Sequence, residues 1–338
     1  MATKRIGRQT VAFSSPPSVL AFANIGGKWE GQGPLAESFD EICEDPFLGE
    51  STWEKAESAM QKRVLDRALQ KAGLSATQLD YILAGDLLNQ CISSSFSLRD
   101  SGIPFYGLYG ACSTMGEGLS LAASLIDGGF AATAAAMTSS HFCTAERQYR
   151  MPVPYGNQRT PTAQWTATAA GCTILGASGN GPYLTHATCG VIVDKGIKDA
   201  NNMGAAMAPA AYSTLTAFFR DTGTTPRDYD LILTGDLGAL GHRIVLDLFR
   251  RDGLDLSGNY QDCGMLLFDR ERQDMHAGAS GCGCSAAVLN GYLLSGMRSG
   301  RWKRLLFAPT GALLSPTSSF QGESIPAICH AVCFSAEP

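Results

Sequence analysis

Cys112 is the residue whose neighbours best equip it for chemistry. It stands in Gly107–Ile126, GLYGACSTMGEGLSLAASLI, between a strand-like run and a helix that carries almost no charge. A thiol at a helix start meets free backbone N–H groups and the positive end of the helix dipole, which favour the thiolate. Downstream, Thr138–Arg150 (TSSHFCTAERQYR) brings His141, Glu146, Arg147 and Arg150 into one short span after a strand end. Ligands of α/β folds gather at strand ends, and an arginine there can grip a carboxylate. Asp86 and Asp236 close two similar apolar runs. Each candidate also has a structural reading. Cys112 and Cys282 suit a tight core, His141 a fixed hydrogen bond, Glu146 with Arg147 or Arg150 an ion pair, and the aspartates helix caps.

The elements that must carry these residues repeat. Leu79–Leu87 (LDYILAGDL) returns as Tyr229–Leu237 (YDLILTGDL), with Asp80 matching Asp230 and Asp86 matching Asp236. A helix-like stretch precedes each copy, Trp53–Ala72 and then Ala205–Asp221; in the first, Ala56, Met60, Val64 and Ala68 recur at helical spacing. A second echo follows in the same order. Gly110-Ala-Cys-Ser-Thr, a small-residue helix and the strand-like Thr133–Thr138 correspond to Gly281-Cys-Gly-Cys-Ser, a similar helix and Leu305–Ala308. Two echoes in one order indicate duplication, with halves at 1–178 and 179–338. Alternating strands and helices with glycine at the turns give an α/β fold. Two such halves stack as an α/β/α/β/α sandwich, with the two cysteine-bearing helices buried in the middle. Ala111, Gly116, Gly118, Ala122 and Ala123 in one helix, and Ala286, Ala287 and Gly291 in the other, let the layers approach closely.

The chain has 338 residues, of which 45% are hydrophobic and 17% charged. Its formal net charge is −5 and no basic stripe is present, which excludes a nucleic-acid surface from the expectation. No apolar run reaches the roughly 18 residues of a spanning helix. Val11–Gly27 is broken by Pro16, Pro17 and Asn24, so neither a transmembrane segment nor a signal peptide is expected. The 11 cysteines lack the paired spacing of zinc modules and read as reduced thiols, with no metal site and no cofactor.

Seven segments carry a resemblance: Gly31–Pro34 (GQGP), Ala84–Gln90 (AGDLLNQ), Gly110–Thr114 (GACST), Thr138–Arg150, Asn202–Ala211 (NMGAAMAPAA), Ser280–Ser285 (SGCGCS) and Thr310–Pro316 (TGALLSP). With them the chain resembles the thiolase and ketoacyl-synthase superfamily, and within it the stage V sporulation protein AD family of spore-forming bacteria. The resemblance implies binding of dipicolinic acid (pyridine-2,6-dicarboxylate), with or without calcium, for uptake into the forespore. It also implies work beside other stage V sporulation membrane proteins, peripherally on the cytoplasmic face of a spore or forespore membrane, and a homodimer through first-half edge strands. Condensing enzymes of the superfamily place a histidine just after the strand that here reads Leu231–Gly235, and a histidine or asparagine at the second glycine-rich turn. This chain offers Asp236 at the first place and Cys282 or Cys284 at the second. An acid repels an enolate rather than stabilising it. The expectation is therefore a non-catalytic binder with a vestigial nucleophile, and the alternative is an acyl transferase that uses Cys112. The expected ligand-binding set is Cys112, Ser113, Asp86, Asn89, His141, Glu146, Arg147, Met207, Asp236 and Cys282. The pyridine ring needs an apolar slot, for which Met207, Phe142 and Met115 are available.

Overall fold

The structure, a computed structural model, describes residues 3–149 and 159–338. Its first half is built from β1 (Ser18–Gly27), α1 (Trp53–Ala72), β2 (Tyr81–Gly85), β3 (Phe105–Gly107), α2 (Thr114–Asp127), β4 (Thr133–Ser140), α3 (Phe142–Tyr149) and β5 (Ala169–Gly176). The second half comprises β6 (Tyr183–Thr188), α4 (Met203–Thr222), β7 (Leu231–Thr234), α5 (Gly238–Arg251), β8 (Tyr260–Asp262), α6 (Cys282–Val288), β9 (Arg304–Ala308) and β10 (Ala331–Ser335). Local signals place the helix ends. The Thr52 hydroxyl caps α1 by accepting from Lys55 N, and Gly73 closes it at φ 67°, a left-handed turn that costs glycine little.

The strand order repeats. In space it runs β3-β2-β4-β5-β1 and then β6-β10-β9-β7-β8, the halves meeting where Ser18 pairs with Tyr183. In both halves the three strands farthest from the junction are parallel and the inner pairings antiparallel. The echoed aspartates explain part of this agreement. Asp80 Oδ2 accepts from Ala132 N and Thr133 N at 2.7 and 3.0 Å. Asp230 Oδ2 accepts from Lys303 N and Arg304 N at 2.7 and 2.9 Å. Each carboxylate thus fastens one strand start to the start of its parallel neighbour.

Three large cores fill the spaces among five layers, and a fourth, small cluster surrounds Cys112. Met60, Val64, Ile82 and Met137 fill the space between α1 and the first sheet. Met115, Leu119, Cys284, Phe307 and Phe334 pack around α2 and α6, between the sheets. Met207, Phe218, Ile232 and Phe249 lie between the second sheet and α4 with α5. This is the thiolase-like sandwich, and its small-residue helices form the middle layer. One detail departs from a simple helix: α6 runs into a wide π turn, Leu289–Leu293, before continuing to Arg298. There Asn290 Nδ2 donates to Ala286 O at 2.8 Å, while Asn290 Oδ1 accepts from Thr173 at 2.6 Å, so the side chain stitches the widened turn to β5. Among the described residues no helix is long and apolar enough to cross a membrane.

Candidate functional site

Cys112 occupies a single 3-10 turn, Ala111–Ser113, that feeds directly into α2. Ala111 is forced to φ 50°, a conformation side chains other than glycine seldom take. A knot of short bonds holds it there. Gly110 O accepts from Ser113 N at 3.0 Å and from Ser113 Oγ at 2.6 Å, and the Thr114 hydroxyl donates to Ala111 O at 2.6 Å. The second half presses on the same turn. A Cβ on Gly311 would lie 2.1 Å from Gly110 O, so the turn admits only glycine there. Gly311→Ala is expected to cost about 2 kcal/mol or more through overpacking, read as a lowered midpoint in denaturant unfolding; an unchanged midpoint would refute the close approach.

Above the thiol opens a cavity of about 470 Å³, counting its mouth. Leu87, Ala145 and Tyr149 form its first-half wall, and Ala200, Met203, Ala312 and Leu314 the facing wall. Its polar lining residues are Tyr109, Cys112, Tyr149, Thr166 and Ser280. Tyr109 and Tyr149 join hydroxyl to hydroxyl at 2.8 Å, and the Tyr149 hydroxyl also donates to Leu87 O. Among the described residues no lysine, arginine or histidine lines it.

Behind Cys112 lies Asp236, fully buried. Its carboxylate accepts from Gly281 N at 3.0 Å, from Thr310 Oγ1 at 3.1 Å and from Ser280 Oγ at 3.3 Å, and the Cys112 thiol is a further partner. Burial pushes the Asp236 carboxyl up to about 7. The thiol is pushed well above its ordinary value, first by burial and then by the Asp236 charge. The thiolate that a helix start favours is therefore not the form this site holds: desolvation and an adjacent acid outweigh the dipole.

The echoed acids have divided their work. Asp86 stays local, accepting from Leu88 N at 2.9 Å, Ser94 N at 2.8 Å and Ser94 Oγ at 2.7 Å. In the second half that local task falls to Asp262, which accepts from Leu237 N, Gly238 N and Thr234 Oγ1. Asp236 is thereby released to reach the glycine-rich turn and Cys112.

Of the expected ligand-binding set, the structure brings together Cys112, Ser113, Asp236 and Cys282. Ser113 is buried in the knot, and Cys282 packs against Cys112 while its thiol donates to Ser139 O at 2.9 Å. Of the whole set only Cys112 lines the cavity, and the remaining members lie away from it. His141 Nε2 is 2.8 Å from Pro46 O and its Nδ1 accepts from Cys143 N, so both ring nitrogens are engaged; burial pushes its pKa down. Arg147 pairs with Glu54 and lies 5.5 Å over the Trp53 ring. Glu146 is half-buried on the same helix, and Asn89 is exposed, its backbone N–H donating to Gln148. Met207 points into the outer core, whereas Met203, one turn earlier on α4, faces the cavity. Phe142 stacks on Trp165 at 3.9 Å, and Met115 is in the middle core. Arg150 lies outside the described residues. Sequence reasoning missed Tyr109, Tyr149, Met203 and Leu314, although each stands in a quoted segment. Tyr149 lies one turn beyond Ala145 on α3, so helical spacing from a small residue was the available signal.

Comparison with known proteins fits this geometry. The stage V sporulation protein AD family matches residues 7–335. The chain belongs to that family. The stage V sporulation protein AD of Bacillus subtilis (strain 168) is 42% identical over 331 residues, 98% of each chain. Among solved structures, OleA of Xanthomonas campestris superposes with a TM-score of 0.61 at 13% identity, covering 96% of this chain and 99% of that one. The 3-oxoacyl-[acyl-carrier-protein] synthase III of Aquifex aeolicus gives 0.57 at 14% identity, covering 94% and 99%. At such identities these structures establish the thiolase-like fold alone. This is a member of a sporulation protein family with a thiolase-like fold. Among the described residues no cluster of His, Cys, Asp and Glu is arranged to hold a metal ion.

Proposed function

We propose that this protein binds dipicolinic acid in the cavity above Cys112 and does no covalent chemistry on it. The observation that carries the reading is the pairing of Cys112 with Asp236. Acyl transfer needs a thiolate and a group that stabilises an oxyanion; here burial, and then the Asp236 charge, raise the thiol instead. A planar pyridine ring suits the slot between Leu87, Met203 and Leu314, and the Thr166 hydroxyl can donate to a carboxylate oxygen. The described lining is neutral, so a dianion entering alone would lose hydration without a counter-charge. Entry as the calcium chelate relieves that cost, and we read the cargo as the chelate where calcium is present. Uptake into the forespore, attachment beside other stage V membrane proteins at the cytoplasmic face, and a homodimer through the exposed edge strand Phe105–Gly107 belong to the same proposal.

Calorimetric titration tests it. Dipicolinate is expected to bind saturably, more tightly with calcium than with a chelator. Ala145→Phe, which fills the cavity, is expected to weaken binding at least tenfold. Absence of saturation below millimolar ligand would refute the reading. The acyl-transferase alternative rests on the cavity and thiol of a condensing-enzyme fold; an acyl group on Cys112 after incubation with acyl-CoA, seen by mass spectrometry, would establish it.

A further inference from the structure

The wall of the cavity is fastened from behind by a buried acid that the binding reading does not use. Glu57, on α1, is fully buried between β4 and α3. Its Oε1 is 2.8 Å from Ser139 Oγ and its Oε2 2.8 Å from Thr144 Oγ1. Ser139 Oγ accepts from Gln61 Nε2 at 2.8 Å, so its own proton is directed at Glu57. Thr144 Oγ1 lies 2.9 Å from His141 O, to which it can donate, leaving its lone pair open to Glu57. A carboxyl that accepts on one oxygen and donates from the other completes this chain, so the geometry has room for one proton on Glu57. The neighbouring acid is equipped in the opposite way. Three donors converge on Asp86, from Leu88 and Ser94, and suit a carboxylate.

We propose that Glu57 is a proton-operated latch: protonated, it ties α3, and with it Ala145 and Tyr149, to α1 and β4; deprotonated, it lets that wall of the cavity loosen. On deprotonation the proton passes to solvent and two carboxylates share a buried pocket whose neighbours are the neutral hydroxyls of Ser93, Ser139 and Thr144. The groups around Glu57 do not neutralise that charge. Asp86 repels it, and the Cys282 thiol is engaged by Ser139 O. On α3, His141 is engaged by Pro46 O, and Arg147 is paired with Glu54 one turn away on α1. Burial, then the Asp86 charge, push the Glu57 carboxyl up to about 8, which sets the latch within reach of ordinary pH.

Hydrogen exchange of the full chain without ligand, corrected for intrinsic rates, tests the latch independently of dipicolinate. Protection of 141–149 is expected to fall roughly tenfold between pH 7 and pH 9. In Glu57→Gln, whose amide can accept from Ser139 and donate to Thr144 at every pH, protection is expected to persist. Constant protection of 141–149 in the wild type, or an equal fall in Glu57→Gln, would overturn the proposal. Should Glu57→Gln not fold, infrared spectroscopy of the wild type decides. A protonated-carboxyl band present at pH 7 and bleached by pH 9.5 supports the latch, and its absence at pH 7 refutes it.

Discussion

Replacing Asp236 with asparagine is expected to raise the rate of Cys112 alkylation at pH 8 by roughly tenfold or more. At that pH the carboxyl, with a pKa of about 7, is mostly ionised, and its charge holds the thiol protonated. Two unit charges about 4 Å apart interact by about 4 kcal/mol at an effective dielectric constant of 20. Removing one of them lowers the thiol pKa and releases more thiolate to the reagent. The effect should shrink below pH 6, where Asp236 itself is protonated. Iodoacetamide labelling followed by peptide mass spectrometry reads it, and equal rates at pH 8 would dissolve the pairing. Asp236→Ala should do something different. It strands Gly281 N and the hydroxyls of Thr310 and Ser280, each of which loses its acceptor. Orphaned buried donors cost about 1–3 kcal/mol each, so a loss on the order of 4 kcal/mol in denaturant unfolding is expected.

Folding stability is expected to peak near pH 5 and to decline toward pH 8. Glu30 and Asp236 are each pushed up to about 7 by burial, and Glu57 to about 8 by burial and the charge of Asp86. For each, the native state holds a proton that the unfolded chain has already released above about pH 4. Stability is then greatest below the unfolded value and falls as pH rises toward the folded one. The cost is on the order of 3 kcal/mol for Glu30 and on the order of 4 kcal/mol for Asp236. Asp45, Asp194, Asp228 and Asp255 are shifted the other way by hydrogen bonds from their neighbours, so they withdraw support only in acid. A series of thermal unfolding midpoints from pH 4 to pH 9 checks this. A midpoint that rises steadily to pH 8 would contradict it.

The architecture was largely legible because it is written in periodic signals. The helix read at Trp53–Ala72 has those bounds, and the echoed runs ending in Gly-Asp are β2 and β7. Small residues in place of charged ones revealed α2 and α6 as interior helices. The cavity was less legible. The reaching role of Asp236 depends on Asp262, which stands 26 positions later and takes over the local bonds; no short motif links the two. His141 and Arg147 stand at a strand end, where ligands gather, but their orientation on α3 follows from Pro46 and Glu54, far away in the chain. Met203 and Met207 differ by one helical turn, and only the angle at which α4 meets the cavity decides which of them faces it. Glu57 gave no signal at all: in sequence it is one of several polar residues on an amphipathic helix.

The core between the two sheets has a consequence for chain length. It is walled on one side by the first half and on the other by the second, and its helices, one from each half, have too little polar surface to stand in water. A chain of half this length would have exposed that whole face and found cover only against its own copy. Two short copies joined end to end would bury that face as the two halves of this chain do. Covalent joining also frees the two halves to differ: an aspartate confined to its own neighbourhood in one is, in the other, the residue that reaches across to the thiol.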